Sequence, residues 1–108
     1  MENFISASSI SEIVNHSSKE AVLIFIHSLT CSISAEAFRR IKVGLEEKLI
    51  SYPTYIIIMQ TERNLSNEIE KNLNIKHESP QIILVKNGQA VYSASHYDIE
   101  ANKIPQNI

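Results

Sequence analysis

The chain has 108 residues, a length that fits one domain over 1–108 and lets folding bury roughly 65% of the unfolded surface around a single core. Hydrophobic residues make up 44%, charged residues 20% and the formal net charge is −2, so no basic field is present to hold nucleic acid or an anionic membrane. No apolar run approaches the ~20 residues that span a bilayer, and the opening MENFISASS lacks the basic region and long apolar segment of a signal peptide. With a single cysteine, the expected compartment is a reducing cytoplasm.

In chain order, Met1–Ala7 holds Phe4 and Ile5 and reads as a short edge strand. Ser9 or Ser11 caps a short helix whose Ile10, Ile13 and Val14 recur at i, i+3, i+4. Ala21–His27 is apolar almost throughout, as in a strand covered on both faces. A turn, Ser28-Leu29-Thr30, leads to a helix opened by Cys31, with Phe38, Ile41, Leu45 and Leu49 along one face and Pro53 ending it. Gly44 weakens the middle of that helix slightly.

Tyr55–Met59 is a second apolar run without alternation. Asn64 or Ser66 caps a helix carrying Leu65, Ile69 and Leu73. A loop, Asn74–Ser79, leads to Pro80 and the strand Gln81–Lys86. Asn87-Gly88, standing between two apolar runs, is a type I′ hairpin signal. The chain returns as Ala90–Ala94, and Asp98 caps a last short helix limited by Pro105. This β-α-β-α-β-α-β-β-α order predicts an α/β fold: a mixed four- to five-stranded sheet, half parallel and half antiparallel, with helices on both faces.

Within this frame Cys31 stands at a strand-to-helix turn. The first helical N–H groups there lack internal partners and the macrodipole is positive, which favours thiolate over thiol. Buried free cysteines are commonly inert, so placement carries the reactive reading. Ser34, three residues on, has a hydroxyl able to donate to a thiolate but unable to form a disulfide. No second cysteine exists, so an intramolecular disulfide is excluded, and any covalent intermediate must be resolved by another molecule.

The strand order, a cysteine opening the second helix and a proline beginning the strand Gln81–Lys86 resemble the thioredoxin-like arrangement. Three dispersed segments narrow it: Phe25-x-His27-Ser28-x-Thr30-Cys31-x-Ile33-Ser34, His77-Glu78-Ser79-Pro80-Gln81, and Ser95-His96-Tyr97-Asp98-Ile99. Together with Glu62-Arg63-Asn64-x-Ser66-Asn67, these resemble the monothiol bacilliredoxins of the bacillithiol system (YtxJ type) over nearly the whole chain. The resemblance implies a cytoplasmic monothiol–disulfide oxidoreductase. Its clients would be S-bacillithiolated proteins and its thiol co-substrate bacillithiol, with no cofactor bound.

Two positions depart from the family pattern. Ser32 stands where proline usually follows the cysteine, removing a rigid first helical residue from the substrate's surroundings. Ile26 stands where a lysine is usual, removing a positive charge.

The resemblance also implies a cis Ser79–Pro80 bond beside Cys31, with the Ser79 backbone pairing to substrate. Taken alone, a proline at a strand's first residue is ordinary and trans. Thr30 is a natural N-cap and equally a ligand contact. His27 as an imidazolium would favour the thiolate, whereas a neutral, hydrogen-bonded core histidine is the commoner outcome. His77 and His96 read as surface residues, and no pair of histidines has zinc-ligand spacing.

Bacillithiol carries carboxylates, so a cation is expected at its site. Arg39 and Arg40 lie about 12–13 Å along the helix from Cys31, too far to grip it, and read as solvated surface charges. Arg63 is the better candidate, its alternative being a surface pair with Glu62 or Glu68. Two other functions fit parts of the pattern. Cys31-Ser32-Ile33-Ser34 has the spacing of the Cys-Gly-Phe-Ser motif of monothiol glutaredoxins that carry iron–sulfur clusters. A thioredoxin-like interaction module with an idle thiol is the third reading.

Overall fold

Two apolar runs without alternation each place successive side chains on opposite faces of a sheet, and both faces are buried. A computed structural model of the chain describes residues 3–108, and among these four strands form one sheet: Val22–His27 (β1), Thr54–Ile58 (β2), Gln81–Lys86 (β3) and Gln89–Ser95 (β4). The order is β2-β1-β3-β4, with β1 parallel to β2 and antiparallel to β3, and β3 antiparallel to β4. Even positions of β1 (Val22, Ile24, Ile26) pack with Ile13, Ile69 and Ile83 beneath the helices Ile10–Ser17 (α1) and Arg63–Leu73 (α3). Odd positions (Leu23, Phe25) pack with Ala37, Ile41 and Ile82 beneath Ser32–Glu46 (α2). The absence of alternation in the sequence is therefore the signature of this two-sided cover.

Local chemistry set several elements as expected. Ser9 caps α1, its hydroxyl accepting from the Glu12 N–H at 3.3 Å. Asn87 and Gly88 take φ of 52° and 74°, the two left-handed residues that a type I′ hairpin requires.

Other expectations are corrected. Met1 and Glu2 lie outside the described residues, and Phe4–Ala7 form no strand; Ile5 makes only an isolated parallel bridge to Tyr55, with two hydrogen bonds. Helix α2 ends at Glu46, well before Pro53. Lys48 turns left-handed (φ 64°), and the Leu49 and Ile50 N–H groups fold back onto the Gly44 carbonyl at 2.9 and 3.0 Å. Leu49 is consequently exposed, and the buried stripe is Ser34, Ala37, Ile41 and Gly44. Helix α3 begins at Arg63, ahead of both expected caps: Glu62 is its N-cap, its carbonyl accepting from the Ser66 N–H at 3.0 Å, while its carboxylate caps nothing and accepts from the Ile58 N–H of β2 at 2.9 Å. Asp98 caps no helix; it ends a 3-10 turn, His96–Asp98, and a second turn, Ala101–Lys103, follows Glu100.

Arg40 is more than a surface charge. It pairs with Glu36 and donates to the Ile99 carbonyl at 3.2 Å, tying the segment after β4 to α2. Arg39 is an exposed partner of Glu36. Gly44 owes its place to crowding, since a Cβ there would stand 2.7 Å from the Ala101 Cβ and 2.9 Å from Ile50 Cδ1. Gly44→Ala is expected to destabilise the fold by about 1–3 kcal/mol despite alanine's better helix propensity; a urea titration showing unchanged or raised stability would contradict this.

Candidate active site

Topology gathers four connections at one end of the sheet. β1 and β2 end together, His27 opposite Ile58; β3 begins there, Gln81 opposite Ile26; and β4 ends there, Ser95 opposite Gln81. The Cys31 turn, the loop after β2, the Pro80 loop and the segment after β4 therefore share one rim.

Cys31 is the N-cap of α2 and not its first turn. Its backbone is extended (φ −108°, ψ 124°), its carbonyl accepts from the Ala35 N–H at 3.0 Å, and its side chain makes no capping bond. The expected cap, Thr30, precedes it by one position, outside the helix. Cys31 is half-buried and its thiol is free. It thus lies at the positive end of a 15-residue helix without being committed to a cap.

Period-two geometry puts His27 two residues past Phe25 on the α2 face. The ring is 7% exposed, stacked between Phe25 and Phe38 at centroid distances of 5.3 and 5.2 Å. Its Nδ1 lies 2.7 Å from Ser34 Oγ, and that oxygen accepts from the Ser28 N–H at 2.9 Å. In the neutral ring with its proton on Nε2, the Ser34 hydroxyl donates to Nδ1. Ser34 is 0% exposed, so its hydroxyl is turned inward to His27 and Ser28, and the sequence expectation of a donor to the thiolate gives way to this buried pair.

Burial lowers the His27 pKa below the ordinary 6.5, because desolvation penalises the imidazolium. The folded ring therefore binds its proton less readily than the unfolded one. Its contribution to stability is full above about pH 6.5 and is lost as pH falls toward the lowered folded-state value. A ring titration followed by NMR is expected to show a midpoint below 6.5 for His27, with the urea midpoint declining over the same window. A midpoint at or above 6.5 would contradict the neutral assignment.

Gln60, in the loop after β2, holds the turn from the other side. Its Oε1 accepts from the Leu29 N–H at 3.1 Å, and its Nε2 donates to Ser28 Oγ at 3.0 Å and Thr30 Oγ1 at 3.3 Å. Sequence reading passed over this residue, and no local pattern marks it, because its partners lie 30–32 positions earlier.

The Ser79–Pro80 bond is cis, as the resemblance implied. Its loop is knitted by side chains from the dispersed motifs. The Glu78 N–H donates to Gln81 Oε1 at 3.2 Å, Ser95 Oγ donates to Glu78 Oε2 at 2.7 Å, and the His96 N–H donates to the Pro80 carbonyl at 3.0 Å. His77 is half-buried with Nδ1 3.0 Å from Ser66 Oγ, contrary to its expected surface placement; Ser66 faces the core of α3 and caps nothing. Ser79 Oγ is buried without a hydrogen-bond partner among the described residues. Arg63, the first residue of α3, is exposed on the rim three positions past Gln60 and makes no salt bridge among the described residues. Ser32 opens the first turn of α2 and is exposed.

Among the described residues no three His, Cys, Asp or Glu side chains gather to hold a metal ion, and no helix is long and apolar enough to cross a membrane. A family model described as monothiol bacilliredoxin BrxC matches residues 2–104. A solved structure provisionally described as an oxidoreductase with a thioredoxin fold is 37% identical, with a TM-score of 0.76, over 90% of this chain and 86% of its own. Thioredoxin from Plasmodium falciparum matches at 16% identity and TM-score 0.67 over 93% and 91% of the two chains. Fasciola hepatica thioredoxin matches at 10% identity and TM-score 0.66 over 84% and 82%. These last two likenesses concern the fold alone, which is thioredoxin-like.

Proposed function

The chain belongs to the monothiol bacilliredoxin family, and from that premise we propose that it removes bacillithiol from S-bacillithiolated proteins in a reducing cytoplasm. The Cys31 thiolate attacks the bacillithiol sulfur of the mixed disulfide. The client departs as a thiolate that takes its proton from water, and a Cys31–bacillithiol disulfide remains. A second bacillithiol thiolate then attacks that disulfide, giving bacillithiol disulfide and restoring Cys31. Electrons balance without any bound cofactor, since the oxidation state lost by the client passes to two molecules of bacillithiol.

The observation that carries this reading is a half-buried cysteine at a helix mouth, its thiol making no capping bond, in a chain with no second cysteine to close on it. The remaining parts are assigned by their position on the rim. The Ser79 backbone ahead of Pro80 pairs with the incoming disulfide. Thr30 and Ser32 border the sulfur, with His27 and Ser34 supporting its turn from beneath. Arg63 meets a bacillithiol carboxylate. The test is turnover: a bacillithiolated client protein, free bacillithiol and the enzyme should together release client thiol at a rate proportional to enzyme. Release no faster than with bacillithiol alone would refute the proposal.

A further inference from the structure

A turn that carries a nucleophile must hold it steady, and the Ser28–Thr30 turn has no regular secondary structure to do so. It is pinned by side chains instead, Ser28 from both sides: its N–H donates inward to Ser34 Oγ at 2.9 Å and its Oγ accepts outward from Gln60 Nε2 at 3.0 Å. Among the described residues, Gln60 alone hydrogen-bonds through its side chain to all three residues of the turn. Leu29 is 59% exposed, so packing contributes little to fixing it and the carboxamide is its anchor. We propose that Gln60 is a positioning residue for thiol exchange, acting on Cys31 through Ser28, Leu29 and Thr30 and not through contact with substrate. By gripping the turn it keeps the sulfur at the N-cap of α2, in one orientation toward an incoming disulfide or alkylating agent. The proposal rests on the exchange reading only for its biological use, because its tests need no bacillithiol.

Amide hydrogen exchange on the unaltered protein is the first test. The Leu29 N–H, despite its exposed side chain, is expected to be protected at least about tenfold over an unstructured amide; exchange at the unprotected rate overturns the proposal. Alkylation of Cys31 by iodoacetamide is the second. Gln60→Met keeps the length and removes all three bonds, and the folded variant is expected to alkylate about fivefold more slowly near neutral pH. A role confined to stability would lower its melting temperature and leave that rate unchanged, which overturns the proposal. Gln60→Glu keeps the acceptor for Leu29 and lets the Ser28 and Thr30 hydroxyls turn to donate. Its alkylation at high pH, where the thiol is ionised in both proteins, is expected to match the parent's rate; a plateau well below the parent's counts against the proposal. Should Gln60→Met fail to fold, the exchange and Gln60→Glu measurements decide.

Discussion

Cys31→Ser is expected to abolish client release while leaving the fold as stable as before, or more stable by about 0.5–1 kcal/mol. The chemical half follows from the nucleophile: a serine hydroxyl stays protonated at neutral pH and does not attack disulfides, so only the spontaneous exchange with free bacillithiol survives. The stability half follows from geometry. Cys31 occupies an N-cap position whose side chain makes no capping bond, and serine is among the best residues for supplying one. A site where the inactive residue is the better structural choice is the pattern expected when function and stability compete. Cys31→Ala should be equally inactive without the stabilisation. Client release above the spontaneous rate in either variant would contradict the assignment of the nucleophile.

Ser34→Ala is expected to weaken the protein substantially while slowing, but not abolishing, exchange. The substitution strands the buried His27 Nδ1 and the part-buried Ser28 N–H, which now share the Ser34 oxygen at 2.7 and 2.9 Å. An unsatisfied buried polar group costs about 1–3 kcal/mol, so the pair should cost roughly 2–4 kcal/mol in a urea titration. The sulfur and the helix mouth survive, and the loosened turn lowers exchange about tenfold. A neutral effect on stability would mean that water or another group reaches His27 Nδ1, which the burial of His27 between Phe25 and Phe38 argues against. Complete loss of exchange in a folded Ser34→Ala protein would instead make the hydroxyl a participant in the chemistry.

What could be read from the chain and what could not divides by the range of the interaction. The central strand, the α1 cap at Ser9 and the Asn87-Gly88 hairpin rest on neighbours within a few residues, and each formed as its local chemistry requires. The end of α2 escaped because it is made by backbone: a left-handed Lys48 and two N–H groups folded onto the Gly44 carbonyl, with no glycine or asparagine at the left-handed position to announce it. The start of α3 escaped because its N-cap, Glu62, makes no side-chain capping bond and so carries no capping signature. In the site, the thiol and the absence of a partner for it were plain from composition. The partners of Ser34 were not, since His27 meets it only once strand and helix pack face to face. Gln60 was the least legible, its role residing wholly in a contact between two loops that the parallel pairing of β1 and β2 brings side by side. Three of the four dispersed motifs meet in space: His77 bonds to Ser66, Ser95 to Glu78, and His96 to Pro80.

Intact mass under denaturing, non-reducing conditions tests the central claim most directly. After a single turnover with a bacillithiolated client and no free bacillithiol, the protein should gain one bacillithiol on Cys31, the client should return to its free mass, and added bacillithiol should restore the original enzyme mass. An enzyme of unchanged mass beside an intact mixed disulfide, or a client covalently joined to Cys31 in place of bacillithiol, would contradict it.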